Sequence, residues 1–258
     1  MSCSIRLGSR TVILKRCMTD DFLSNTYLVG DGNGHAFFVD AGGPVEPLLE
    51  AAERHRIVPS HVLLTHHHHD HVVELPKIVE AHPAIEVLIH ASEADLLEGV
   101  TGTIEPGTPI RAGGLEVQTV HTPGHTKGMV AFVADGDVFT GDTLFKGSVG
   151  GVRAPESTSY EDLKSSIMDT LMGLDHGLQV RPGHTDPTTL GEEWETNPFV
   201  RLWRGLDEEG DDPCLVFGDQ EATLVLLGPD YDGGHKAWIR WPDGRDDIVP
   251  GSQVKPTA

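Results

Sequence analysis

Short apolar runs broken by Gly, Asp and Asn alternate along the chain with stretches of helical period. That pattern predicts strands punctuated by helices. Residues 11–17, 25–29 and 35–40 read as strands, separated by turn chemistry that includes Gly30-Asp-Gly-Asn-Gly34. Pro44 leads into a helix running toward Arg56, with Leu48, Leu49 and Ala52 on one face. Residues 61–65 predict a compact strand, 70–81 a helix and 85–90 another strand. Further strands are expected at 108–110, 115–119, 129–134 and 138–140. Residues 159–174 place Leu163, Ile167, Leu171 and Leu174 at helical spacing, ahead of a strand at 178–181 and one or two helices within 188–203. This order implies an α+β fold of two packed sheets flanked by helices.

The pattern changes after Leu206-Asp-Glu-Glu-Gly-Asp-Asp-Pro213, an acidic stretch closed by Pro. Beyond it the helical period disappears, and 215–217, 222–227, 236–241 and 247–249 predict short strands joined by Gly-, Asp- and Pro-rich turns. Two units are expected: a main unit over 1–204 and a small β-rich appendage over 205–258. The appendage is short enough to need support from the main unit.

Composition narrows the partners. Of 258 residues, 40 are acidic and 19 basic, a formal net charge of −21. Such a surface repels a phosphate backbone, so nucleic acid is excluded as a partner. Residues 205–258 carry 12 acidic and 4 basic side chains, which rules out a nucleic-acid module there as well. No run approaches the ~20 apolar residues that span a bilayer, and the first ten residues lack a signal-peptide core. A cytosolic protein with no membrane partner is expected. Cys3, Cys17 and Cys214 are far apart and odd in number, so thiols rather than a disulfide framework are expected.

The chemistry concentrates in Thr65-His-His-His-His-Asp-His71, an internal run directly after a predicted strand. Alternate side chains of an extended turn point the same way, so His66 and His68 converge while His67 and His69 face elsewhere. Asp70 and His71, opening the next helix, reach a neighbouring point. Imidazoles joined by a carboxylate suit zinc, iron or manganese. Three more candidates each follow a predicted strand: His125 in Thr122-Pro-Gly-His-Thr126, Asp142 in Gly141-Asp-Thr143 and His184 in Pro182-Gly-His184. All of them are expected to cluster at one sheet edge.

With these motifs in this order, residues 11–200 resemble the metallo-β-lactamase superfamily. The resemblance implies an αββα sandwich with a binuclear centre, two zinc ions per chain, at one edge of the sheets. It implies His66, His68 and His125 on one metal, Asp70, His71 and His184 on the other, and Asp142 bridging. Asp40, in Phe38-Val-Asp-Ala-Gly-Gly43, matches the family's supporting aspartate.

Gly141-Asp-Thr-Leu-Phe145 and the stretch from Gly183 to Phe199 look like the glyoxalase II branch, the hydroxyacylglutathione hydrolases. That points to a small-molecule thioester or ester as substrate, attacked by hydroxide that two cations make available near neutral pH, with Asp70 orienting it. The match departs where substrate is held. Thr185-Asp186 follow His184 in place of the branch's Glu-Tyr, and Arg153 is displaced from the expected basic position. The C-terminal helices give way to a meander loosely similar to an SH3- or Tudor-like barrel. Lys146 and Arg153 are candidates for an anionic substrate tail, and Tyr160 for an oxyanion donor. The same ligand set also fits three rivals. One is a persulfide dioxygenase-like enzyme with one iron on His66, His125 and Asp142. The others are a lactonase and a partner-binding protein whose metal centre is structural. The appendage is expected to wall the substrate pocket or make a subunit contact.

Overall fold

The computed structural model describes residues 4–7 and 13–257. Two sheets dominate. The first has seven strands in sequence order, Ser4–Leu7, Ile13–Met18, Asn25–Gly30, His35–Val39, Val58–Leu63, Glu86–His90 and Gly102–Ile104. It is antiparallel up to His35–Val39 and parallel thereafter. The second has six, ordered Thr188–Thr189, Gln179–Pro182, Asp137–Gly141, Val130–Ala134, Leu115–His121 and Ile110–Ala112.

Strand alternation separates three apolar layers. Phe37, Val39 and Leu63 of the first sheet meet Val117, Val130, Phe132 and Phe139 of the second in the central layer. The opposite face of the first sheet packs Phe38 and Val62 against Leu48 and Ala52 of helix Glu46–His55 and Ile78 of helix Leu75–Ala81. The opposite face of the second packs Ala131, Val138 and Val180 against Leu163, Ile167 and Phe199. The result is the expected αββα sandwich.

Strand direction makes a site at one edge. His35–Val39 runs parallel to Val58–Leu63, and Asp137–Gly141 runs parallel to Gln179–Pro182. Leu115–His121 shares the direction of Asp137–Gly141, because each is antiparallel to Val130–Ala134 between them. The segments leaving these C-terminal ends carry Asp40, His66, His125, Asp142 and His184.

Several elements differ from expectation. The helix expected over 70–81 is two, His69–Val72 and Leu75–Ala81, with Pro76 in the first turn of the second; Pro offers no N–H to continue the preceding helix. The 159–174 helix starts where Ser159 accepts the Asp162 N–H, then passes from α through a π turn at Ser166–Thr170 to a 3-10 turn at Leu171–Gly173. Cys17 is buried, and Cys214 is a free buried thiol, as expected. Cys3 lies outside the described residues.

Residues 212–256 form a separate five-stranded antiparallel sheet, ordered Asp246–Pro250, His235–Arg240, Gln220–Pro229, Asp212–Val216 and Val254–Pro256. It has a small apolar cluster of its own around Val216, Ala237 and Ile239. Its other contacts are shared: Val225, Trp238 and Ile248 pack into the same layer as Leu163 and Phe199. No helix among the described residues is long and apolar enough to cross a membrane.

Candidate metal centre

Asp40 turns out of strand His35–Val39 at φ 55, a left-handed conformation that Asp tolerates better than most side chains. Its Oδ1 accepts the Thr65 N–H at 2.8 Å, and its Oδ2 accepts the Thr65 hydroxyl at 2.9 Å and faces His71 Nδ1 at 3.1 Å. One buried carboxylate thus fixes both ends of the His-rich run. Gly183 allows a close approach to the cluster side chains: a Cβ there would lie 2.2 Å from Asp142 Oδ1 and 2.7 Å from His71 Cε1.

The seven residues singled out by motif come together. His66, His68 and His125 present nitrogens within 4.8 Å of one another, as do the donor atoms of His66, His71 and Asp142 and those of Asp70, His71 and His184. His68 Nδ1 lies 3.0 Å from His125 Nε2, and His71 Nε2 lies 3.4 Å from His184 Nε2. Asp142 stands between the groups. Its Oδ2 is 3.1 Å from His184 Nε2 and 3.5 Å from His125 Nε2, and its Oδ1 is 3.2 Å from His71 Nε2. Asp70 Oδ2 lies 3.4 Å from His184 Nε2 and accepts the Ser24 hydroxyl at 3.2 Å.

The outward nitrogens settle what the inward ones offer. His68 Nε2 meets the Pro155 carbonyl at 3.0 Å, His125 Nδ1 that of Gly151 at 2.8 Å and His184 Nδ1 that of Phe22 at 2.9 Å. His71 Nδ1 meets Asp40, and His66 Nδ1 the Thr65 hydroxyl. A carbonyl or carboxylate demands an N–H, so the opposite nitrogen keeps its lone pair facing inward, the arrangement of metal-ligating histidines.

Electrostatics agree for His66, His68 and His125. Burial pushes His66 well below the ordinary histidine value, lowers His68, and takes His125 down to about 4 despite attraction to Asp142. For Asp142, burial resists ionisation, but His184 and His71 outweigh it and hold the carboxyl well below the usual range. His71 goes the other way: burial opposes its charge, yet Asp142 and Asp40 raise it well above the ordinary value. Buried His66 Nε2 has no hydrogen-bond partner, and Asp142 Oδ1 has His71 Nε2 as an ion-pair neighbour at 3.2 Å but no hydrogen bond of good geometry. Buried polar atoms are rarely left so, and a cation between them would satisfy both. The donor set fits a divalent metal.

His67 turns away as expected, its Nδ1 2.8 Å from Glu93 Oε2, and His69 is exposed. The three substrate candidates sit differently. Tyr160 is buried in the helical layer, its hydroxyl accepting the Trp203 indole N–H at 2.8 Å, so it faces no substrate. Lys146 is exposed at the turn between Leu144–Phe145 and Ser148–Val149, away from the cavity beside the cluster. Arg153 does line that cavity, but Asp247 takes its Nε–H at 3.0 Å.

Other residues had escaped sequence reasoning. Glu93 accepts the Gly128 N–H at 2.9 Å, the His67 N–H at 2.8 Å and the Thr126 hydroxyl, tying the His125 loop to the His-rich run. Tyr231, from the five-stranded sheet, stacks on His184 with centroids 4.2 Å apart and planes at 13°. Nothing local marks either residue, since both act through contacts distant in sequence.

The family model for the metallo-beta-lactamase superfamily matches residues 19–184, and the chain belongs to that superfamily. An uncharacterised protein of Mycobacterium tuberculosis is 35% identical over 207 residues, spanning 68% of this chain and 92% of the relative. A hydroxyacylglutathione hydrolase of Xanthomonas euvesicatoria pv. vesicatoria is 34% identical over 206 residues, 67% of this chain and 79% of that one. Among solved structures, TTHA1623 in a di-iron-bound form is similar with a TM-score of 0.62 at 34% identity, over 71% of this chain and 98% of the other.

Proposed function

We propose that this chain is a binuclear metal-dependent hydrolase acting on thioesters. His66, His68 and His125 would hold one cation and Asp70, His71 and His184 the second, with Asp142 placed to serve both. The observation that carries the reading is the buried His66 Nε2, left without a hydrogen-bond partner where the donor atoms of His68, His125, His71 and Asp142 converge. Similarity to a hydroxyacylglutathione hydrolase supports the thioester, and similarity to a di-iron protein supports two metals with zinc, iron or manganese as occupants.

Cations in such a site supply Lewis acidity, polarising a carbonyl oxygen and lowering the pKa of water to near 7. The residues do the rest. Asp70, which keeps one oxygen on Ser24 and is less buried than the imidazoles, orients the attacking water through its carboxylate. Asp40 and the carbonyls of Gly151, Pro155 and Phe22 hold the imidazoles in the ligating tautomer. As water adds at the acyl carbon, releasing one proton to solvent, the C–S bond breaks, giving a carboxylic acid and a thiolate. The sulfur leaves as an anion, so no proton donor is needed at that position.

The test is to strip the protein and restore it with zinc, iron(II) or manganese(II) while assaying acyl thioesters, lactones and oxygen uptake with persulfides. The expected result is thioester hydrolysis that saturates near two equivalents of metal. Oxygen uptake at one equivalent of iron, with no hydrolysis, would overturn the proposal.

A further inference from the structure

Beside the cluster lies a cavity of about 330 Å³, bounded by His125 and Asp142 on one side and by the five-stranded sheet on the other. That volume is at the small end of the range for ligand pockets. Carbon dominates the wall facing the cluster, from Phe145, Ala154, Ile248, Val249 and Pro250.

Its two cationic side chains are already neutralised. Arg153 is paired with Asp247 through Nε at 3.0 Å and lies over the rings of Phe217 and Trp241. Lys236 is buried, donating to the Val149 carbonyl at 2.6 Å and pairing with Asp230 at 3.1 Å. An acidic carrier therefore finds no unpaired cation among the described residues of this wall. Tyr231 completes it, held by its stack on His184, by Phe145 at 5.0 Å and by an N–H bond to Asp230 at 2.8 Å. Its hydroxyl has no hydrogen bond among the described residues.

We propose that this cavity is the acyl site, taking an uncharged, aliphatic acyl group of short to medium length against the Tyr231 ring and leaving the thiol carrier outside. The inference rests on the thioesterase reading and adds to it the class of acyl group. Apolar burial rewards each added methylene until the cavity is full, while a carboxylate at the far end of the acyl chain would lose its hydration without gaining a partner.

The test uses the metal-loaded full chain and thioesters of a single neutral thiol, N-acetylcysteamine, with acetyl, butanoyl, hexanoyl, octanoyl and succinyl groups. kcat/KM is expected to rise by ~10-fold or more from acetyl to hexanoyl, the scale set by methylenes in an apolar pocket. Succinyl is expected to fall ~10-fold or more below butanoyl, since its second carboxylate meets no partner. Ala154→Phe, at a half-buried position lining the cavity, should abolish the rise while keeping metal content and melting temperature. A parallel arm compares hexanoate with acetate for thermal stabilisation of the loaded protein and of Ala154→Phe. If no thioester is cleaved but hexanoate stabilises the parent alone, the acyl site stands and the reaction assigned to the protein falls. If thioesters are cleaved with no dependence on chain length, or with succinyl preferred, the acyl site is overturned and the hydrolase stands.

Discussion

The seven side chains of the metal cluster sit within a few residues of strand ends, in segments that carry recognisable spacings. The wall opposite them comes from a sheet that begins only at Asp212, and its contribution is assembled by packing. Each cluster residue is carried by its own short segment, although the groups that orient the imidazoles lie far off in sequence: Gly151 is 26 residues from His125, Asp40 is 31 from His71, Pro155 is 87 from His68 and Phe22 is 162 from His184. Tyr231 and Lys236 reach the cavity only because Trp238, Val225 and Ile248 share an apolar layer with the helices over the second sheet. The donor residues are encoded in short local segments, whereas their orientation and the shape of the space beside them are encoded in tertiary contacts.

The largest effect expected from breaking that comparison is at Trp238, which is 3% exposed and lies 5.3 Å from Tyr160 and 6.3 Å from Trp203, centroid to centroid. Trp238→Ala should cost about 3–5 kcal/mol in urea denaturation, the range for a large buried aromatic. Both regions should unfold together; a separate early transition of the five-stranded sheet, with the remainder unmoved, would show that the shared layer does not couple them.

Next comes Asp40→Asn, which removes the charge that fixes Thr65 and His71 without emptying space. Metal affinity, measured by competition with a chelator, should drop about 10- to 100-fold, as for lost supports of ligating histidines. An unchanged affinity would mean that the His-rich run holds its own geometry. The smallest effects separate the two outward histidines. His67→Ala takes one donor from buried Glu93 and should cost about 1–2 kcal/mol of stability with hydrolysis near that of the parent. His69→Ala, on the surface, should stay within about 0.5 kcal/mol. Thermal melts of the pair check the sign and order.

Much of the αββα framework was legible because its strands are short apolar runs with turn residues between them, and because parallel pairing brings their C-terminal ends to one edge. The cluster was legible for the same reason: His66, His68, Asp70 and His71 needed only one turn, and His125, Asp142 and His184 each needed only a preceding strand. The pairing of Arg153 was not legible, because proximity in sequence to Asp142 says nothing about which carboxylate captures a cation; Asp247 lies almost a hundred residues from Arg153. Tyr160 carries a hydroxyl and heads a helix, yet its face is set by Trp203 and Trp238. Glu93 and Tyr231 left no trace in spacing at all, since each acts on a loop from outside it.

The two-metal reading turns on Asp142, whose carboxylate reaches both halves of the cluster, at 3.5 Å from His125, 3.2 Å from His71 and 3.1 Å from His184. The direct measurement is metal content per chain, by elemental analysis of protein purified without a metal-affinity step, for the parent and for Asp142→Asn. Asn keeps the shape and removes one negative charge, leaving three imidazoles for one cation. The account predicts about two metals in the parent and about one in the variant, with hydrolysis down by ~10² or more, the scale of lost electrostatic stabilisation. Two metals and undiminished hydrolysis in Asp142→Asn would contradict it.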